Sequence, residues 1–264
     1  METFDNESFI IKSYRMIPSS RIVCFGNYFR CLRIKRLTKS IFYKKSWINS
    51  SSKKDIPPDF YNIKHSIMME VMRVDDCIET LDGKPVNNSF KKASLAMKKC
   101  FGKDYKTKRN DISLYFSSDT SNSDEFNFSG YLASFERVIM KHSKKADGYR
   151  KNHPECKDLV FFVFDESNCY VQVSNKKDLL KEGKKDLWLN NAMLHRWYND
   201  AKFLEIIKKC NADFFIWFCW CKTLYVNGKE IRQPIVCIFD VKNLKNCGIE
   251  YNHQLMLKIT EEQE

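Results

Sequence analysis

The sequence predicts an α/β fold, a mixed central sheet with flanking helices. Two runs, "LVFFVF" (Leu159 to Phe164) and "DFFIWFCW" from Asp213, are apolar at nearly every position, as expected of strands covered on both faces. Segments with helical spacing of apolar residues partly alternate with such runs. The chain has 264 residues, 43% of them apolar and 14% aromatic, which is enough for a substantial core. No fixed-period repeat is visible.

Taken in order, residues 8–47 mix aliphatic and basic side chains without clean alternation and read as one or two short helices and a strand. "WINSSSKKDIPP", Trp47 to Pro58, is rich in Ser, Lys and Pro and reads as a linker. Ile67 to Val74 is strand-like. Asp82 to Pro85 is a turn. "SFKKASLAMKKCF" (Ser89 to Phe101) has Phe90, Ala93, Ala96, Met97 and Cys100 at helical spacing, with Gly102 as a stop. Ile112 to Phe116 is a short strand, and "SSDTSNSDEFN" a polar loop. Gly130 to Lys145 reads as an amphipathic helix with Leu132, Phe135, Val138 and Ile139 on one face. Lys202 to Cys210 is a further helix. Asn227-Gly228 is a hairpin turn between strands at 213–220 and 235–239, and residues 255–259 read as a last strand.

Composition narrows the function classes. Eleven cysteines occur, but no CxxC pair does, and the five histidines are not spaced as zinc partners. Reduced, buried thiols are expected. The start, "METFDNESFI", has acids and no apolar stretch of secretory type. The longest apolar run, from Phe214, is about eight residues, far short of a bilayer. The expectation is a cytoplasmic protein with no membrane partner. His142, His153, His195 and His253 are isolated in sequence and read as surface or internally satisfied residues. No Walker loop, GxGxxG, HExxH or GxSxG motif is present, so nucleotide-cradling and serine-hydrolase chemistries lose support.

Charge is unevenly spread. The net charge is +12, and residues 1–54 hold twelve Lys or Arg against three acids. That suggests a basic N-terminal segment, 1–54, ahead of an α/β domain, 55–264. In "RCLRIKRLTKSIFYKK", Arg30, Arg33, Lys35, Arg36, Lys39, Lys44 and Lys45 lie among aliphatic residues, Phe42 and Tyr43. Cations interleaved with aromatics suit phosphate contact and base stacking. The plainer reading is a solvated helix face.

Acids supply the remaining signal. In "PPDFYNIKHSIMMEVMRVDD", Glu70 sits inside an apolar strand and Asp59 lies upstream, after Pro58. Pro58-Asp59 followed by Glu70-Val71-Met72 resembles the signature of the PD-(D/E)XK nuclease superfamily. The resemblance covers roughly residues 55–170. It implies a restriction-endonuclease-like αβββαβ core, with an Asp opening one strand and an acid-X-Lys motif on its hairpin partner. It also implies Mg²⁺ held by Asp59 and Glu70, a cation that favours carboxylate oxygens and assists phosphodiester hydrolysis. The motif's lysine position is Met72. Arg73 points to the opposite face of the strand, so Lys64, from the loop between the acids, is the candidate to reach in. Without a lysine, the fold would bind nucleic acid without cutting it. A rival site is Asp213, Asp240 and Lys242, an acid-X-Lys triplet at a strand end with an Asp opening the preceding strand. Structural carboxylates are the third reading. Asp75-Asp76 would supply a second metal shell or simply lead the chain out of the sheet, and Asp165-Glu166 poses the same choice.

Overall fold

The computed structural model describes residues 7–41, 46–50, 57–76, 127–175, 192–219, 224–226, 229–231, 233–245 and 247–259. In chain order, α1 is Glu7–Met16, β1 Ile22–Phe25, α2 Tyr28–Lys39, β2 Ile48–Asn49, β3 Phe60–Asn62 and β4 Ile67–Val74. Then come α3 at Phe128–Ser143, α4 at Ala146–Asn152, β5 at Asp158–Asp165, β6 at Cys169–Gln172 and β7 at Met193–Leu194. They are followed by α5 (Ala201–Lys209), β8 (Phe214–Cys219), β9 (Leu224–Val226), β10 (Lys229–Ile231), β11 (Val236–Asp240) and β12 (Met256–Ile259).

The main sheet has seven strands in the order β1-β11-β8-β5-β4-β3-β2. Strands β4, β5 and β8 run parallel. Strands β2, β3 and β4 form an antiparallel meander. Strand β11 is antiparallel to β8 and parallel to β1. A three-stranded sheet, β12-β6-β7, and a ribbon of β9 and β10 stand apart. The α/β class and the mixed, helix-flanked sheet expected from the sequence are therefore present.

The apolar runs become central strands because side chains alternate between two buried faces. On β5, Phe161 and Val163 face a core shared with Phe128, Tyr131, Phe135 and Ile139 of α3 and Phe203 of α5. Val160, Phe162 and Phe164 face a second core with Ile10, Ile11 and Tyr14 of α1 and Cys31, Ile34 and Leu37 of α2. Helices on both sides give three layers.

Residues on both sides of the charge boundary at 54 share this sheet and the second core. Strand β1 pairs with β11, and α1 and α2 pack under the central strands. The linker expected over Trp47 to Pro58 is partly an edge strand. Trp47 is buried, Ile48 pairs with Tyr61, and Ser50 N donates to Asp59 O at 2.8 Å. The helix expected at Ser89 to Phe101, the strand at Ile112 to Phe116, the Asp82 turn and Asn227-Gly228 lie outside the described residues. Val226 of β9 faces Lys229 of β10, so the strands flanking that turn form their own ribbon. Strands β8 and β11 still pair antiparallel, with Asp240 opposite Phe214. Five of the eight described free cysteines are buried. No described helix is long and apolar enough to cross a membrane.

Candidate acid site and basic helix

The β3–β4 hairpin brings the two motif acids to adjacent positions. Phe60 pairs with Met69, so the next rung sets Asp59 beside Glu70, on one face of the sheet. Asp59 Oδ2 accepts from Val71 N at 2.8 Å. Glu70 is 7% exposed and shares its face with Met68 and Met72. Its Oε1 accepts from Tyr149 OH at 2.9 Å, and His142 Nδ1 lies 2.9 Å away. Both partners come from α3 and α4, which cover this face. Glu70 Oε2 is buried without a hydrogen-bond partner. Burial, then the Glu70 and Asp59 carboxylates, push the Tyr149 phenol far up, so Tyr149 remains a donor.

The remaining parts of the motif are elsewhere. Met72 is 3% exposed within the core. Lys64 is exposed on a 3-10 turn, Ile63–His65, at the far end of the hairpin. Three rungs separate that turn from Glu70, roughly 10 Å at strand spacing. Arg73 faces the other side, as its strand parity requires, and pairs with Glu166 at 2.6 Å. Among the described residues no group of three or more His, Cys, Asp or Glu is arranged to hold a metal ion. The local donor set for Mg²⁺ is thus two carboxylates, each with one oxygen already engaged. Such an ion keeps several waters and takes one or two carboxylates, so Asp59 and Glu70 Oε2 fit a weak site only.

The rival constellation converges in part. Lys242 Nζ lies 2.7 Å from Asp213 Oδ1. Asp213 Oδ2 accepts from Leu159 N at 3.0 Å and Arg150 at 3.3 Å. Burial would raise the Asp213 pKa, but these donors outweigh it and hold it down. Asp240 does not join them. It has the strand parity of Val236 and Ile238, which face the α1–α2 core. There it is fully buried, with Arg30 NH1 at 3.0 and 3.1 Å and Asn243 Nδ2 at 2.8 Å. The two acids and the lysine therefore do not all meet; Asp213 is a strand-start anchor and Asp240 an arginine clamp.

Several basic-helix residues are also engaged internally. Arg33 pairs with Asp158 at 2.5 Å and donates to His65 O at 2.9 Å. Lys39 donates to Arg15 O and Ile17 O and lies over the Tyr14 ring. Arg36 is exposed and Lys35 half-buried. Lys44 and Lys45 lie outside the described residues.

Two buried acid clusters were not assigned from sequence. Asp76 is not a solvated strand exit; its Oδ2 accepts from Asn168 N, Asn168 Nδ2 and Tyr170 OH. Asp165 gathers donors from Tyr131, Ser167, Trp217 and Cys219. The sequence signal was an acid ending each apolar run, which does not reveal partners.

His142, His195 and His253 have carboxylate partners and are not isolated, whereas His153 Nε2 is buried without a hydrogen-bond partner, against the expectation that each histidine is exposed or satisfied. Asp200 is fully buried, with His195 Nε2 at 2.8 Å and His253 Nε2 at 3.2 Å. Burial would raise its pKa, but the two imidazoles outweigh that and hold it down at about 2. A carboxyl whose folded pKa lies below its unfolded value, about 3.9, stabilises above that value and loses the effect as pH falls through the folded pKa. We therefore expect about 2 kcal/mol of folding stability to vanish between roughly pH 4 and pH 2. Urea titrations of wild type and Asp200→Asn across that window check it. The variant should show a flatter acid arm, and parallel acid arms refute the assignment.

No family model matches the chain, and no curated protein or solved structure does.

Proposed function

We propose that the chain is a nucleic-acid-binding protein built on a restriction-endonuclease-like core, acting by binding rather than cleavage. The observation that carries this reading is the state of Glu70. One oxygen is committed to Tyr149 and His142, and the motif's lysine position is a core methionine, Met72. No described lysine or arginine pairs with Glu70, so among the described residues the motif's cation that would orient or activate water has no counterpart.

The core itself supports the resemblance. Helix α2 precedes the β2-β3-β4 meander, and α3 and α4 then lead to β5, parallel to β4. Among the described residues this succession is compatible with the αβββαβ order implied by the motif, with Asp59 just ahead of one strand and Glu70 on its hairpin partner. A net charge of +12 favours a polyanion as partner.

Cleavage remains the second reading, favoured by one observation: Glu70 Oε2 is buried, without a partner, beside the Asp59 position. Mg²⁺ there would polarise a phosphate, with Asp59 and Glu70 as its protein ligands.

One experiment separates them. Labelled DNA and RNA, single- and double-stranded, are incubated with the full chain, with and without Mg²⁺ or Mn²⁺. Binding with a steep inverse salt dependence and intact product under every metal is the expected result. Metal-dependent cleavage abolished by Glu70→Gln transfers the case to the second reading. Absence of binding even at low salt overturns both. Charge is best tested by Arg36→Glu rather than by deleting residues 1–54, because α1 and α2 belong to the core.

A further inference from the structure

Helix α2 has a face that the core does not use. Cys31, Ile34, Leu37 and Thr38 are its buried side. Phe29, Arg33 and Arg36, spaced by four and three residues, form one outward stripe, and all three are exposed. Tyr28, Lys35 and Lys39 form a second stripe beside it. The helix holds five cations and no acid.

Its start is unusual. Tyr28 is 60% exposed and Phe29 80% exposed. Large aromatics are ordinarily buried for the apolar area they carry. Here the helix is positioned by other means: Asn27 caps it by accepting from Arg30 N at 3.1 Å, and Arg30 ties it to Asp240. The two rings meet edge to face at 5.8 Å. They present ring surface outward, one to two turns from the guanidinium of Arg33 and that of Arg36.

We infer that this face of α2 binds single-stranded nucleic acid, with Tyr28 and Phe29 stacking on bases and Lys35 and Arg36 holding the phosphates. The inference rests on the nucleic-acid reading above and narrows it to a substrate class. Charge complementarity selects a polyanion. The rings select a strand with free base faces, because a duplex keeps its bases stacked on one another and leaves Tyr28 and Phe29 without a partner. Arg33 contributes less, since its guanidinium is already held by Asp158 and His65.

The test is fluorescence anisotropy of the full chain with a labelled oligothymidylate and with a hairpin duplex of matching length. Variants are Phe29→Ala, Phe29→Trp, Tyr28→Ala and Arg36→Glu. All substituted side chains are exposed, and unchanged thermal midpoints check folding. Each aromatic-to-alanine change should weaken single-strand binding on the order of ten-fold with little effect on the duplex, while Phe29→Trp retains it. Arg36→Glu should weaken both ligands and lower the salt slope. Equal affinity for both ligands, unaffected by Phe29→Ala, overturns the inference and leaves the broader reading standing. No binding to either overturns both. Self-association lost in Phe29→Ala, without oligonucleotide binding, reassigns the surface to a second copy of the chain. Phe29-dependent capture by phosphatidylserine vesicles, again without oligonucleotide binding, reassigns it to a lipid surface.

Discussion

Replacing Asp165 by alanine is expected to cost about 3–5 kcal/mol of folding stability. The carboxylate is 2% exposed at the end of β5. Its Oδ1 accepts from Ser167 N at 2.9 Å and Ser167 Oγ at 2.6 Å. Its Oδ2 takes Trp217 Nε1 at 2.8 Å, Cys219 Sγ at 3.2 Å and the Tyr131 hydroxyl. Removing the acid leaves an indole N–H and a phenol O–H in an apolar core, and each loses its full desolvation compensation. A cavity forms as well. Tyr131→Phe removes a single donor and should cost about 1.5–3 kcal/mol. Urea unfolding of both variants reads this directly. If Asp165→Ala lies within about 1 kcal/mol of wild type, an ordinary surface-like change, the cluster is not the anchor described here.

The same cluster explains a feature of the architecture. Open α/β sheets usually receive ligands beyond the carboxyl ends of their parallel strands. Here those ends are occupied from within. Asp165 closes β5 against Trp217 and Cys219 of β8 and Tyr131 of α3. Asp76, just past β4, is closed by Asn168 and by Tyr170 of β6. Tyr131 and Tyr170 stack at 6.1 Å and join the two acids into one block. Around these two acids the described strand ends are filled by the protein's own side chains, whereas the surface inferred above to bind a ligand is the exposed face of α2.

What the sequence disclosed followed from local periodicity. β4, β5, β8 and β11 were legible because buried-on-both-faces strands leave unbroken apolar runs, as in "LVFFVF". Helices α3 and α5 were legible from their spacing. β2 and β3 were not, being two and three residues long, too short to show a period. Glu70 stood out because it interrupts an apolar strand. Its partners did not, since His142 and Tyr149 lie 72 and 79 residues away. The basic excess was read correctly as charge but not as structure. Of the cations singled out on α2, Arg30, Arg33 and Lys39 have internal partners. The exposed rings of Tyr28 and Phe29 carried no signal at all, because an apolar residue at a helix start is ordinarily assigned to the core.

Arg30→Ala should then behave as a folding variant rather than a binding variant. Asp240 is fully buried, and Arg30 NH1 spans both its oxygens. The guanidinium also lies 4.8 Å from the centre of the Phe214 ring. Removing one partner of a buried pair strands the other charge in a dry environment, at about 3–5 kcal/mol. Arg30 is 36% exposed, so water partly reaches the vacated site and about 3 kcal/mol is the expected loss. The turn before α2 lies close against Asp240. Gly26 sits at φ +91°, and a Cβ there would come within 3.0 Å of the Asp240 Cβ and carbonyl oxygen. Asp240→Asn in the Arg30→Ala background should recover part of the loss, because it removes the stranded charge while Asn243 can still pair. Arg36→Ala, on the exposed side of the same helix, should stay within about 0.5 kcal/mol of wild type. Denaturant titration of wild type, Arg30→Ala, Asp240→Asn and the double variant gives the coupling energy. An Arg30→Ala variant as stable as wild type would mean that Asp240 is hydrated after all, and that Arg30 is available for a phosphate.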